Sequence, residues 1–339
     1  MSRQALSTDG APRGRLRAMR ARFAHDWTEP VPFSALPLAY FVGEKVMENA
    51  IQLLVQGLLV GMSYAVLAAG LTLIFGVMKI INFAHASFAV LAMYFPAFWF
   101  LQWWDIDPFL SAAISLPLFF VLGFLIERLL ISKILGSSTS ETSTLIITMG
   151  LSLLIENLIL IGWSGAPRII NQSYTLADWD VWGVSINHAQ AYSMIGSIVL
   201  ISGLHMFLNK TMIGKGIKAA ADDPEGCAYM GVNLKRVYGV AFGLGIAVTA
   251  AGGCFMATYR PFDPFYGQGV VVILFVIVVL GGLGSIPGAV VGGLIVGVIQ
   301  QLSALVLAVS LQNVAVFAIF LVCLYCRPQG IFGKKARAI

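Results

Sequence analysis

The chain has 339 residues, of which 58% are hydrophobic and only 11% charged, with a formal net charge of +5 and a mean hydropathy of +0.86. Soluble domains carry about a quarter charged residues, so this balance excludes a soluble enzyme or binding module and requires lipid as solvent. Nothing in it favours a nucleic-acid partner, because the basic residues gather at chain ends and in one loop.

At the amino end, six arginines (Arg3, Arg13, Arg15, Arg17, Arg20 and Arg22) precede any apolar run. They are not a secretory signal, since no apolar core with a small-residue cleavage site follows them. The stretch Phe33 to Val42 is short and broken by Pro37, so it is not expected to cross a membrane comfortably. Residues 1–46 therefore read as an Arg-rich extension, disordered or interfacial, with Met47 as an alternative start.

Beyond it the charges are segregated. Ala50–Gly76, Ile80–Trp104, Pro108–Ile126, Val181–Asn209 and Tyr238–Tyr259 contain no Asp, Glu, Lys or Arg, and Leu145–Pro167 contains only Glu156. Pro264–Cys326 is a run of 63 uncharged residues, with breaks expected at Gly281–Gly284 and near Ser310–Asn313. At 1.5 Å per residue, each of the shorter runs can cross about 30 Å of hydrocarbon, and the long one has room for about three crossings. The runs are apolar all round, not alternating, which excludes a β-barrel. The expected fold is all-α: a polytopic membrane domain over residues 47–333 with about nine transmembrane or half-membrane helices, followed by a basic tail at 334–339.

Lys and Arg in short loops orient such a domain. The loop 209–236 holds Lys210, Lys215, Lys218, Lys235 and Arg236, and the tail holds Arg327, Lys334, Lys335 and Arg337, so both read as cytoplasmic. The loop from Trp163 to Asn187 has Arg168 as its single base beside Asp178 and Asp180, and reads as external. Alternation then puts Glu127–Lys133 inside and Asp105–Pro108 outside.

No hydrolytic chemistry is visible. The pairs Gly214-Lys215 and Gly333-Lys334 lack the rest of a P-loop, and the four histidines have no partner at i+4. Cys323 and Cys326 form a CxxC pair without a second pair or a nearby His, so they read as helix filler, not a metal site. What remains are polar groups inside apolar segments, which are functional candidates by default. Asn82 and His85, three apart, share a helix face. Glu156 and Asn157 lie in the fourth segment, where the carboxylate could instead be solvated near the headgroups. The glycines at Gly281, Gly282 and Gly284 either allow close helix packing or break a helix and free its backbone to line a path. A similar break follows Gly76 in the first half, the pattern expected of an inverted repeat.

The one long polar interior stretch is equally specific. Asp222 or Asp223 can cap a helix whose first turn receives Pro224 and Glu225. Ala228, Tyr229 and Met230 then offer an apolar face before Gly231 ends the helix.

Four motifs, AGLTLIFGVMKIINFAHASF, KAAADDPEGCAYMGVNLKRV, LGGLGSIPGAVVGG and RPQGIFG, occur in this order between about Ile51 and Gly333. Together they resemble the permease subunits of ATP-binding-cassette importers for branched-chain amino acids, urea and related small amides. Ala86 stands where that family usually has Gly. The resemblance implies that Asp222–Gly231 holds a coupling helix that docks on an ATP-binding-cassette ATPase subunit, and that Asn82, His85, Glu156, Asn157 and Gly281–Gly284 border the translocation path. It implies further partners: a second, related permease in a heterodimer and an external solute-binding protein. ATP and Mg would be bound by the ATPase subunits and no cofactor by this chain, whose place would be a bacterial-type inner membrane. The rival readings are an autonomous secondary transporter or channel, which would need ion-coupling groups, and a membrane scaffold without transport.

Overall fold

The computed structural model of the chain describes residues 36–134, 140–181, 183–308 and 311–333. Two compact units divide it, 1–49 and 50–339; the first is described only from Leu36, and the helical bundle belongs to the second. Most of the expected extension 1–46, and the tail 334–339, lie outside the described residues, while residues 36–46 are already helical.

The apolar runs become helices in chain order: α1 (Leu36–Met78), α2 (His85–Trp104), α3 (Pro108–Ile131), α4 (Ser140–Trp163), α5 (His188–Lys210), α8 (Leu234–Ala257), α9 (Tyr266–Gly281), α10 (Ile286–Leu302) and α11 (Gln312–Cys326). Between α5 and α8 the polar loop folds into α6 (Met212–Asp222) and α7 (Pro224–Tyr229). Among the described residues seven helices are long and apolar enough to span, and α9 and α11 are shorter apolar ones. The 63-residue uncharged run yields the three helices expected of it.

Local chemistry sets several boundaries. Asp107 caps α3, its carboxylate accepting the Phe109 N–H at 2.8 Å, with Pro108 at the first helical position. Inside α2, Pro96 cannot donate a backbone N–H, and residues Met93–Trp99 widen into a π-turn. A second π-turn, Glu127–Ile131, extends α3 beyond Ile126. Glu127, the first charged residue after the apolar run Pro108–Ile126, is thus helical, and its side chain is buried against Gly239 of α8.

The external-type loop contains an element that the all-α expectation did not include. Strands β1 (Asp178–Val181) and β2 (Val184–Asn187) pair antiparallel, with Asp178 opposite Asn187 and Val181 opposite Val184. Gly183, at φ +81°, makes the turn. Asn187 then caps α5, accepting the Ala189 N–H at 3.1 Å. The uncharged run Val181–Asn209 therefore starts in a hairpin and spans only from His188.

Gln52 of α1 clamps this hairpin, donating to the Ser185 carbonyl at 2.6 Å and accepting its N–H at 2.8 Å. This defines a hairpin end of the bundle. Twenty-four residues along α1, about 36 Å at the helical rise, Gly76 lies against the backbone of Gly284; this is the loop end.

Helices α1 and α8 form the centre: over the apolar 18-residue stretch of each, 89% of the residues are buried, against 28% in the corresponding stretches of α3, α4 and α5. Small residues let the centre close. A methyl placed on Gly297 of α10 would lie 2.4 Å from Gly61 Cα, and one on Gly61 would lie 2.8 Å from the Gly293 carbonyl oxygen. The GLLVG of α1 and the GLIVG of α10 thus meet as antiparallel small-residue stripes. Gly70 and Gly245 bring α1 and α8 together in the same way.

Candidate translocation path and coupling elements

The polar loop is built as two helices on one scaffold. Thr211 caps α6 through its hydroxyl, which accepts the Gly214 N–H at 3.0 Å. Gly214, Ile217 and Ala220 are buried, so one face of α6 is fastened to the bundle. Lys218 donates to the Asn209 side chain. Of the two candidate caps, Asp223 is the one used, its carboxylate accepting the Gly226 N–H at 2.9 Å, while Asp222 closes α6. Pro224 and Glu225 occupy the first turn of α7. Cys227 is buried beneath that helix, and the Val232 N–H returns to its carbonyl at 3.0 Å. Gly231, at φ +81°, ends the segment in the left-handed region. The anchored underside leaves Ala228 exposed, and Tyr229 and Met230 are 88% and 85% exposed. Two large apolar side chains so presented on a pinned helix form a surface suited to a protein partner.

The residues proposed for the path do not lie together. His85 is fully buried where three helices meet: Nε2 lies 3.0 Å from the Leu67 carbonyl of α1 and 2.7 Å from the Thr249 hydroxyl of α8. A carbonyl can only accept, so Nε2 carries the proton. The Thr249 hydroxyl donates to the Gly245 carbonyl at 2.9 Å. Asn82, also buried, accepts the Ala84 N–H at 3.1 Å just before α2. His85 thereby fastens the start of α2 to the two central helices, beside the Gly70–Gly245 approach, while the bond of Asn82 stays within its own turn.

Glu156 is buried, not solvated at a headgroup level. Its carboxylate accepts from Ser152 at 3.1 Å and from Gln268 of α9 at 2.9 Å, and Ser152 shares a 2.7 Å hydrogen bond with Ser87 of α2. A polar chain thereby joins α4, α2 and α9. Asn157, the next residue, turns outward and donates to the Leu153 carbonyl of its own helix.

The glycine break lies elsewhere again. Gly282 and Gly284 have φ of +102° and +84°, a backbone that side chains rarely adopt. Ser285 caps the following helix α10 by accepting the Gly288 N–H at 3.1 Å. The last carbonyls of α9 find unusual partners: Leu280 accepts the Ile331 N–H at 2.9 Å, and Gly281 accepts that of Phe332 at 3.1 Å. These are helix-end groups without partners in their own helix. The break borders a cavity of about 750 Å³ at the loop end, with Gly76, Lys79, His205, Lys218, Asp222 and Phe332 also on its wall. Lys79 stands there at φ +56°, a strained conformation for a residue with a side chain. The cavity therefore connects the break to α6, next to the exposed α7.

A smaller cavity, about 200 Å³, opens at the hairpin end between Gln56, Asp178, Asn187, Gln190 and Tyr259. Nearby, Tyr174 donates to the Asp107 carboxylate at 2.7 Å. Burial first, and then that carboxylate, push its phenol well above the usual tyrosine range. The sequence reading missed the polar residues of this end, because Arg260 and Tyr259 stand in a short connection and their neighbours come from α1 and α9.

Comparison with known proteins adds to this geometry. Residues 53–324 match the family model described as the permease component of branched-chain amino acid transport systems. The chain is 28% identical over 296 residues to the high-affinity branched-chain amino acid transport system permease protein BraD of Pseudomonas aeruginosa, covering 84% of this chain and 96% of that one. It is 28% identical over 299 residues to LivH of Escherichia coli (strain K12), a protein of the same description, with the same two shares. It is also 28% identical over 311 residues to a probable branched-chain amino acid transport permease protein LivH of Methanocaldococcus jannaschii, covering 86% and 93%. No solved structure gives a significant match.

Proposed function

The chain belongs to the family of branched-chain amino acid transport permeases, and from that premise we propose that it is the membrane-spanning subunit of a binding-protein-dependent importer driven by ATP-binding-cassette subunits. The observation that carries this is α7: a helix capped by Asp223, pinned by Cys227 and offering Tyr229 and Met230 outward. An ATPase cleft that accepts those side chains would move α6 with them, because α6 is fastened to the bundle through Ile217 and Ala220. That movement reaches the 750 Å³ cavity and the Gly281–Gly284 break directly, since Lys218 and Asp222 share its wall.

In this reading the loop end, to which Phe332 and Gly333 belong, is cytoplasmic, and the hairpin end faces the solute-binding protein across an inner membrane. ATP and Mg are bound and turned over by the ATPase subunits. Their differing affinities for two states of the permease supply the drive for alternating access. A second, related permease completes the path. The solute is small and neutral or zwitterionic; a branched-chain amino acid fits best with the names of the relatives, and urea or a short amide is the competing cargo.

The test is purification from the native membrane in mild detergent, with the bound proteins identified by mass spectrometry. An ATPase and a second permease are expected. Recovery of this chain alone from several detergents, together with solute uptake that needs an ion gradient and no ATP, would replace the importer with a secondary carrier.

A further inference from the structure

We infer that Arg260, with the phenols of Tyr259 and Tyr266, receives the carboxylate of the solute where it enters from the hairpin end. The inference rests on the permease reading and narrows it: the cargo is an amino acid, not urea or a neutral amide.

From Tyr238 to Cys326 the chain has a single base, Arg260, and a single acid, Asp263. A guanidinium between membrane helices is costly to leave without a counter-charge. Arg260 continues the last turn of α8, its N–H bonded to the Met256 carbonyl at 3.1 Å, and it is half-buried. Among the described residues, the groups that face it are the phenols of Tyr64 from α1, Tyr259 beside it and Tyr266 at the start of α9, with no carboxylate. Asp263 is engaged in its own turn, accepting the Phe265 N–H at 2.8 Å. Arg168, another base at this end among the described residues, donates from one terminal nitrogen to the Trp163 carbonyl at 2.9 Å and lies over the Phe98 ring, though its Nε is without a partner.

The hydroxyls of Tyr259 and Tyr266 are buried and find no acceptor in hydrogen-bond geometry among the described residues, with Tyr266 beside the Arg260 guanidinium and Tyr259 beside Ser63. The cluster is thus rich in donors, with up to five from the guanidinium and one from each phenol, and poor in acceptors. A carboxylate supplies what is missing: two oxygens with about four lone-pair positions, in a plane that matches the guanidinium fork. Urea or an amide offers one carbonyl oxygen and brings further donors. Entry is provided for, because Tyr259 also forms part of the wall of the 200 Å³ hairpin-end cavity.

The experiment uses the complete importer, this chain with its co-purifying permease, ATPases and binding protein, in proteoliposomes, and reads ATP-dependent uptake of radiolabelled leucine. Wild type comes first: uptake of leucine or another carboxylated amino acid is expected, and its absence overturns the cargo reading before any variant is made. Given that uptake, Arg260→Gln should lower the maximal rate about tenfold or more, the scale of losing a charge-assisted hydrogen bond. Arg260→Lys should restore part of it, and ATPase stimulation by the binding protein should stay within about twofold of wild type, which a merely structural lesion would not leave intact. Tyr259→Phe with Tyr266→Phe removes only two oxygens, so it serves if Arg260→Gln does not fold; a loss of severalfold is expected. Leucine uptake within twofold of wild type in the folded Arg260→Gln importer, or in the double variant should that importer not fold, overturns the inference. So does loss of the second permease from the Arg260→Gln complex, which would mean that the missing carboxylate belongs to that partner.

Discussion

Helices α1 and α8 have nearly the hydropathy of α3 and α4, yet 89% of the residues in the apolar 18-residue stretch of each of the first two are buried, against 28% in the second two. What separates the pairs is the size of their side chains. A methyl on Gly70 would meet the Gly245 carbonyl oxygen at 2.5 Å, and one on Gly253 the Ala89 carbonyl oxygen at 2.4 Å. Methyls on Gly150 and Gly162 of α4 would meet nothing within 4 Å. Lipid is as apolar as leucine, so apolarity does not sort helices between centre and rim; close backbone contact and its dispersion attraction do.

The contrast can be broken most severely by exchanging glycines. Gly297→Leu forces a side chain into the Gly61 backbone, and loss of the folded protein in detergent size-exclusion chromatography is expected, at about 3 kcal/mol or more. Gly150→Leu should elute as wild type. If both variants behave alike, small-residue packing is not what sets the centre apart. Next in size, Asp223→Lys or Gly231→Trp should abolish uptake and uptake-coupled ATP hydrolysis while the permease stays folded, because these residues shape α7 outside the core. Retained transport would remove the coupling role of α7.

A smaller effect is expected from Thr249→Val, which deletes the hydroxyl between His85 and Gly245 at the centre. The loss should be about 1–2 kcal/mol, read as a lowered thermal midpoint. The smallest belongs to the rim: Tyr174→Phe removes the hydrogen bond to Asp107, at about 1 kcal/mol. Its phenol is raised in the folded state, so that stability is present at neutral pH and declines as pH rises past about 10, where the unfolded tyrosine ionises. The gap between wild type and Tyr174→Phe should therefore close in alkali; a gap that widens would refute the assigned bond.

How far the sequence could be read depends on the range of the forces concerned. The apolar helices, the break at Gly281–Gly284 and the cap before Pro224 depend on residues within a few turns of each other, and they stand where composition and spacing put them. The hairpin at 178–187 escaped because its strands are four residues long, the first in a stretch read as loop and the second inside a run taken for helix. The partners that hold His85, Leu67 and Thr249, lie 18 and 164 positions away. Glu156 and Gln268 are 112 apart. The π-turn that carries α3 past Ile126 to Ile131 leaves no mark in hydropathy.

The bonds from Ile331 and Phe332 to the carbonyls of Leu280 and Gly281 also bear on how the chain is made. The end of α9 is finished by amides that leave the ribosome some fifty residues later. Until then those carbonyls have no protein donor, and the wall of the large cavity to which Phe332 contributes is incomplete. Translation order thus leaves this corner open until synthesis is nearly over, and a nascent chain stopped short of RPQGIFG would present quality-control proteases with an unfinished seam.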